Sequence, residues 1–211
     1  MQDSRLVPGG RRLHNRRQAR LFNQVAHQFA EPVPNDVQDR LAQIVAAARV
    51  RPKDTVLDVG TGTGVLLPFI LACQPSRVVA CDLSREMLVR ARAVFKGRVR
   101  FFQRDVVDLA PSIGLVDVVF CNACFGNFYD PQQTLRAVNT LCHHEGRLVI
   151  SHPMGKDFVR HLKDEQPEIV TSELPERAHL EAMLDAAGFR LELFKDDPDI
   201  YLAVASKRAG L

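Results

Sequence analysis

The sequence predicts an α/β fold: a mostly parallel sheet, covered by helices on both faces, that ends in an antiparallel hairpin. Two observations carry this. From Thr55 onward, short apolar runs alternate with segments of helical periodicity, the pattern of strand–helix–strand units around a parallel sheet. The last two apolar runs, Phe189–Phe194 and Ile200–Ala205, are joined only by Lys195–Asp199. That link is too short for a crossover helix, so the pair is antiparallel.

In chain order, residues 36–49 repeat apolar side chains at helical spacing (Val37, Leu41, Ile44, Val45, Ala48), with Asn35 or Asp36 as N-cap. Pro52 stops that helix, and Thr55–Val59 reads as a buried strand. A helix over about 64–73 leads to a strand at 77–82, and a helix from Ser84 to Phe95 leads to a strand at 98–103. The strand at 115–121 precedes a helix opened by Asp130-Pro131, a side-chain cap followed by proline in the first turn. Gly146 closes that helical region ahead of the strand Arg147–Ser151. Residues 153–174 form a polar insertion before a helix at Pro175, placed to shape a binding pocket or act as a lid. Arg160, His161 and Lys163 within it are either a draw for an acidic ligand or a solvated helix face.

The composition, 46% hydrophobic and 25% charged, excludes disordered, collagen-like and disulfide-scaffold classes. The 211 residues fit one domain with a short appendage. No run approaches the roughly 18 apolar residues of a membrane span. The start lacks the apolar core of a secretory signal, so a cytoplasmic protein is expected. The odd count of five cysteines reads as reduced thiols. Cys121 and Cys124 have zinc-ligand spacing but no matching second pair, and Cys121 sits in an apolar strand, so core packing without a metal is expected. The formal charge of +3 is unevenly spread: residues 1–20 hold six arginines against Asp3, leaving 22 basic and 24 acidic residues beyond them. The chain thus divides into a basic arm, 1–20, and a domain, 21–211, that opens with cap helices over 21–50.

The strongest local signal is Leu57-Asp58-Val59-Gly60-Thr61-Gly62-Thr63-Gly64, set between a buried strand and a helix. Glycines there let the backbone turn sharply and approach a ligand, and a helix N-terminus offers free N–H groups. Asp82, at the end of the second strand, is placed to accept from ribose hydroxyls. The spacing G-x-G-x-G differs from the G-x-G-x-x-G of dinucleotide binders. Asp58, inside the strand, suits an ammonium group and repels a pyrophosphate. A ligand with a ribose and a zwitterionic end, such as S-adenosylmethionine, meets both demands.

With these residues the sequence resembles the class I S-adenosylmethionine-dependent methyltransferases over residues 20–207. Further matches are Cys81-Asp82-Leu83-Ser84, Arg104-Asp105-Val106, Asp117–Phe120 before Asn122, Glu145–Ile150 and Ala186–Phe189. The segment Phe22–Phe29 resembles the cap of small-molecule members, such as the ubiquinone and menaquinone C-methyltransferases, with Asn23 in place of their aspartate. The resemblance implies a Rossmann-like three-layer sandwich with a seven-stranded sheet, S-adenosylmethionine as cofactor and S-adenosylhomocysteine as product. It also implies that Gly60, Thr61, Gly62 and Gly64 line the methionine end, with Asp58 near its ammonium. Asp82 would hold the ribose, Leu83 and Met87 flank the adenine, Asp105 accept from its amino group, and Val106 pack on the ring. Asn122 and Ala123 would face the reacting methyl group.

His152, just past the fifth strand, is a candidate general base. Asn122 and Tyr129 are the other candidate catalytic residues. The expected reaction is methyl transfer to a small molecule. An RNA acceptor held by the arginines of the arm and a non-catalytic donor-binding protein are the alternatives, and a nicotinamide oxidoreductase is a third class. Arg12, Arg16 and Arg20 share one helical face, which can instead pack on acidic residues of a second copy in a homodimer.

Overall fold

Buried apolar runs set the central strands. In the computed structural model, which describes residues 9–30, 32–109 and 112–209, the strands are Thr55–Val59 (β1), Arg77–Asp82 (β2), Arg100–Gln103 (β3), Val116–Asn122 (β4), Cys142–His152 (β5), Phe189–Asp197 (β6) and Ile200–Lys207 (β7). Among the described residues they form one seven-stranded sheet in the order β3-β2-β1-β4-β5-β7-β6, whose edge strands β3 and β6 are largely exposed or half-buried. The first five pair in parallel, and β7 runs antiparallel to both β5 and β6, as the short link requires.

Side chains alternate between two cores, the consequence of a pleat with period two. Leu57 and Val59 of β1 face one core, with Val119 and Cys121 of β4. Val56, Val118 and Phe120 face the other. The helices Asn35–Ala47 (α2) and Leu67–Ala72 (α3) cover the second core through Leu41, Ile44, Leu67 and Ile70. Pro131–Leu141 (α5) and Arg177–Ala186 (α7) cover the first through Leu135, Val138, Leu180 and Leu184. Gly10–Val25 (α1), Arg85–Phe95 (α4) and Gly155–Glu165 (α6) complete the helices of the described residues.

Several boundaries move for identifiable reasons. The arm continues without a break into the cap as α1; the arm's first eight residues, Arg5 included, lie outside the described residues. Pro34, not Asn35 or Asp36, stands at the N-cap of α2, and Asp36 instead pairs with Arg40 one turn on at 2.8 Å. The third helix starts at Leu67 because the chain from Gly62 to Leu66 turns first. Ser84 caps α4 by accepting from the Met87 N–H, and Asp130 caps α5 by accepting from the Gln133 N–H. Gly146 does not separate helix from strand. It lies inside β5, where pairing with β4 jumps from Val116–Cys142 to Val118–Arg147, a bulge with Glu145 at φ 62°.

Arg147 ties this edge to α2. Its guanidinium donates to the Ala48 and Arg49 carbonyls at 2.7 and 2.6 Å and pairs with Asp54 at 2.6 Å. One cation thus satisfies the orphan carbonyls at a helix C-terminus and a carboxylate that is only 7% exposed. Arg147→Ala leaves that carboxylate with only the Arg51 N–H at 3.0 Å and lowers the unfolding free energy by about 3 kcal/mol in urea titration. Arg16→Ala, on the exposed face of α1, changes it by no more than about 0.5 kcal/mol.

Candidate active site

The carboxyl ends of β1, β2 and β4 meet at one edge of the sheet, and the strand order reverses direction between β1 and β4. A ligand crevice opens at such a switch point. The cleft found there is lined by Asp58, Gly60, Thr61, Gly62, Asp82, Leu83, Met87, Asp105, Val106, Asn122, Ala123 and Tyr129, among others.

The turn after β1 builds its floor. Gly60 has φ +64°, and a Cβ there would stand 2.6 Å from the Cβ of Cys124. Gly62 has φ +54°, and a Cβ there would meet nothing within 4 Å, so the backbone is bare where it faces open space. The Thr61 N–H donates to the Cys81 carbonyl at 3.1 Å, which locks the turn against β2.

Two carboxylates stand beside this turn. Asp58 is 2% exposed and accepts from the Thr61 hydroxyl at 2.6 Å. Burial pushes its carboxyl up to about 7, with the charge of Asp82 adding and the Thr61 hydrogen bond opposing. Asp82 accepts from the Gly62 N–H at 2.8 Å and the Ser84 N–H at 2.7 Å. Burial raises its pKa too, against those N–H donors. With the Leu83 N–H as a third donor, the carboxylate has about one lone pair left for a further donor. At the end of β4, Asn122 accepts from the Ser151 hydroxyl at 2.9 Å. Ala123 follows at φ +53°, an uncommon conformation for a residue with a Cβ, held by its N–H on the Ser151 carbonyl at 2.8 Å.

Helix α1 roofs the cleft. Arg11 donates to Asp105 at 2.7 Å and to Asp108 at 2.8 and 3.0 Å, and Asn15 donates to Asp105 at 2.7 Å. These contacts hold the Asp108 carboxyl below its ordinary value and raise that of the Arg11 guanidinium. His14 meets the Asn127 carbonyl at 2.8 Å. Asn23, where the resembling family has aspartate, accepts from the Ser84 hydroxyl at 2.7 Å and the Glu86 N–H at 3.1 Å, so its work is to dock α1 on the start of α4. Gln18, Phe22 and Phe29 also line the cleft.

The structure brings together every expected cofactor residue except Gly64. That glycine (φ +89°) lies off the cleft, and a Cβ there would strike Phe95 at 2.8 Å and Leu67 at 2.9 Å; packing under α3 requires it. Asp105 lines the cleft, but its Oδ2 receives Arg11 and Asn15 and its Oδ1 the Val107 N–H, so α1 competes for the position expected to hold an adenine amino group. His152 does not line the cleft. As the last residue of β5 it lies a strand beyond β4, its Nδ1 accepts from the Met154 N–H at 3.2 Å, and its ring lies 5.6 Å from that of Phe158 on α6. Burial pulls its pKa down to about 4.

The 153–174 insertion does not cover this cleft; Thr171 and Ser172 line a neighbouring pocket that shares Phe128, Tyr129 and Asp130 with it. Arg160, His161 and Lys163 find their partners within the insertion, while Lys156 pairs outside it with Glu176 and Asp196. Arg160 pairs with Asp157 at 2.6 Å, Lys163 pairs with Glu173 at 2.9 Å, and His161 meets the Asp157 carbonyl at 2.8 Å. Cys121 and Cys124 are buried, and Cys124 Sγ donates to the Val59 carbonyl at 3.2 Å. Sequence reasoning missed Arg11, Asn15, Gln18 and Asn127. The spacing 11-15-18-22, one helical face running into the cap, was the available signal for the first three.

An S-adenosylmethionine molecule fits these residues. Bare backbone at Gly62 and a buried carboxylate at Asp58 suit its amino-acid end, Asp82 suits its ribose, and Leu83, Met87 and Val106 offer apolar walls to its adenine. Fold and cleft together define a nucleotide-binding domain of doubly wound α/β type. A methyltransferase-domain family model matches residues 25–193, and the chain belongs to that family, within the class I S-adenosylmethionine-dependent methyltransferases. S-adenosylmethionine is the cofactor of that class.

Among solved structures, a Haloferax volcanii methyltransferase in complex with the Trm112 methyltransferase activator has a TM-score of 0.74 at 20% identity, covering 89% of this chain and 98% of that one. The Synechocystis magnesium protoporphyrin IX methyltransferase with bound S-adenosylhomocysteine has a TM-score of 0.68 at 18% identity, covering 92% and 98%. A Synechococcus ribosomal RNA small subunit methyltransferase A is 36% identical over 87 residues, 41% of this chain and 32% of that protein. The chain thus spans about a quarter to a third of the length of the curated relatives it matches. Among the described residues, no helix is long and apolar enough to cross a membrane.

The raised pKa of Asp58 has a signed consequence. The folded state holds this proton more tightly than the unfolded chain, so the ligand-free protein loses stability as pH rises from about 4 to about 7. Asp58→Asn keeps an oxygen for Thr61 and removes this loss. In thermal melts the variant gains on the parent with rising pH and levels off above about 7.

Proposed function

We propose that this protein transfers a methyl group from S-adenosylmethionine to a small-molecule acceptor bound between α1 and the loop after β4. One observation carries the choice of acceptor. Helix α1 is fastened over the cleft along its length, by Arg11 to Asp105 and Asp108, by His14 to Asn127, and by Asn23 to the start of α4. Such a roof favours an acceptor small enough to be enclosed.

When bound, S-adenosylmethionine supplies a methyl group already activated by its sulfonium. The chain's own part is therefore chiefly alignment and exclusion of water. In this reading Asp58 meets the ammonium, which favours the ionised carboxylate, and Asp82 accepts from the ribose hydroxyls. Asn122 and Ala123 set the depth of the methyl group, and Tyr129 borders the acceptor. Proton removal is not assigned to His152, whose ring lies off the cleft and whose Nδ1 is occupied.

A second reading takes RNA as the acceptor. It is favoured by the exposed face of Arg12, Arg16, Arg17 and Arg20 on α1 and by the relatives named as ribosomal RNA methyltransferases. The same arginine face is the place to look for a second copy of the chain.

Isothermal calorimetry with S-adenosylhomocysteine tests the cofactor: binding is expected, and Asp82→Ala weakens it by more than about 1 kcal/mol through loss of charge-assisted hydrogen bonds. No binding by the parent chain would sink the proposal. Radiolabelled methyl transfer to a dialysable metabolite extract, but not to total RNA, is the expected outcome; label in RNA alone moves the assignment to the second reading.

A further inference from the structure

Two side-chain oxygens on residues that line the cleft are buried and have no partner among the described residues: Gln18 Oε1 and Asn127 Oδ1. Gln18 is 4% exposed, and its Nε2 donates to the Glu168 carbonyl at 3.2 Å. That bond fixes which way round the amide sits, since a flipped amide would set two oxygens against each other. Both residues line the cleft, and they belong to the two elements between which the acceptor space lies, α1 and the 3₁₀ turn Phe125–Asn127 after β4. A buried carbonyl without a hydrogen bond is costly, so such groups call for a donor.

Resting on the proposed small-molecule methyltransferase reading, we infer that Gln18 Oε1 and Asn127 Oδ1 recognise the methyl acceptor by receiving its N–H or O–H donors. The rest of the wall narrows the class. Phe22, Phe29, Phe128 and Tyr129 line the cleft and suit a flat, apolar body. Of the charged residues, Asp58, Asp82, Asp105 and Asp130 line it against Arg11 and Arg104, and Arg11 is already spent on Asp105 and Asp108. Arg104, also at the cleft, is exposed and reaches the Asp108 carbonyl at 3.4 Å. The acceptor is an aromatic or similarly planar molecule with hydroxyl, amine or lactam N–H donors.

The test uses matched probes on the full chain saturated with S-adenosylhomocysteine. Naphthol is compared with methoxynaphthalene, and naphthylamine with dimethylnaphthylamine, by ligand-observed NMR; each pair keeps its shape and differs in the donor. The donor-bearing member is expected to bind about fivefold more tightly or better, the worth of one neutral hydrogen bond. Asn127→Leu and Gln18→Met bring that ratio toward one and leave the Kd for S-adenosylhomocysteine unchanged, whereas Asn127→Asp, which keeps an acceptor oxygen, retains it. Equal binding within each pair by the parent chain, or no binding of any probe, overturns the inference. So does a loss of S-adenosylhomocysteine affinity in Asn127→Leu or Gln18→Met, which would give the oxygens to the methyl donor instead. Failure of the parent chain to bind S-adenosylhomocysteine at all is a different result, and it removes the methyltransferase reading itself.

Discussion

The bond from the Gly62 N–H to the Asp82 carboxylate joins the turn after β1 to the end of β2, and the site depends on it. Parallel strands deliver their carboxyl ends to one edge, so Asp58 and Asp82 are brought near one another in a place both are shielded from water. That convergence is unfavourable on its own, because buried like charges resist ionisation. Main-chain N–H groups from the glycine turn and from Ser84, together with the Thr61 hydroxyl, offset part of it. The remaining imbalance is a carboxyl held up to about 7, which a positive charge placed beside it would lower.

Helix α1 resolves the charge asymmetry of the sequence into geometry. Arg11 turns inward onto Asp105 and Asp108, while Arg12, Arg16, Arg17 and Arg20 face solvent. One amphipathic helix thus closes the cleft with its polar inner face and presents a basic outer face beside the mouth. The partly buried pair of Arg11 with Asp105 is screened less by salt than the outer face, so the two faces respond differently to ionic strength.

Much of the fold was legible because it is local. Alternating apolar runs and the caps Ser84 and Asp130 are interactions between neighbours in the chain and stand where the pattern put them. The expected Lys195–Asp199 link shrinks to Pro198-Asp199, because Lys195–Asp197 extend β6 against β7. The bulge at Gly146 was not legible, since a glycine reads alike in a helix stop and in a strand that must accommodate extra residues against its partner. Gly64 shows the same ambiguity. Its spacing matches the cofactor motif, while its neighbours Phe95 and Leu67 make it a packing glycine.

The sequence by itself determined the strand–glycine turn–helix unit, the acid at the end of β2 and the antiparallel close of the sheet, because backbone conformation and hydrophobic period are written over a few consecutive residues. Only the tertiary structure decided which side chains share the cleft. Sheet order sets lateral neighbours, and it carried His152 a strand away under α6 while Asn122 and Tyr129 stayed. The docking of α1 across ninety or more residues of chain brought Arg11 and Asn15 to Asp105 and set Gln18 near Glu168. Contacts of that separation depend on how whole elements pack, and no local pattern of residues encodes them.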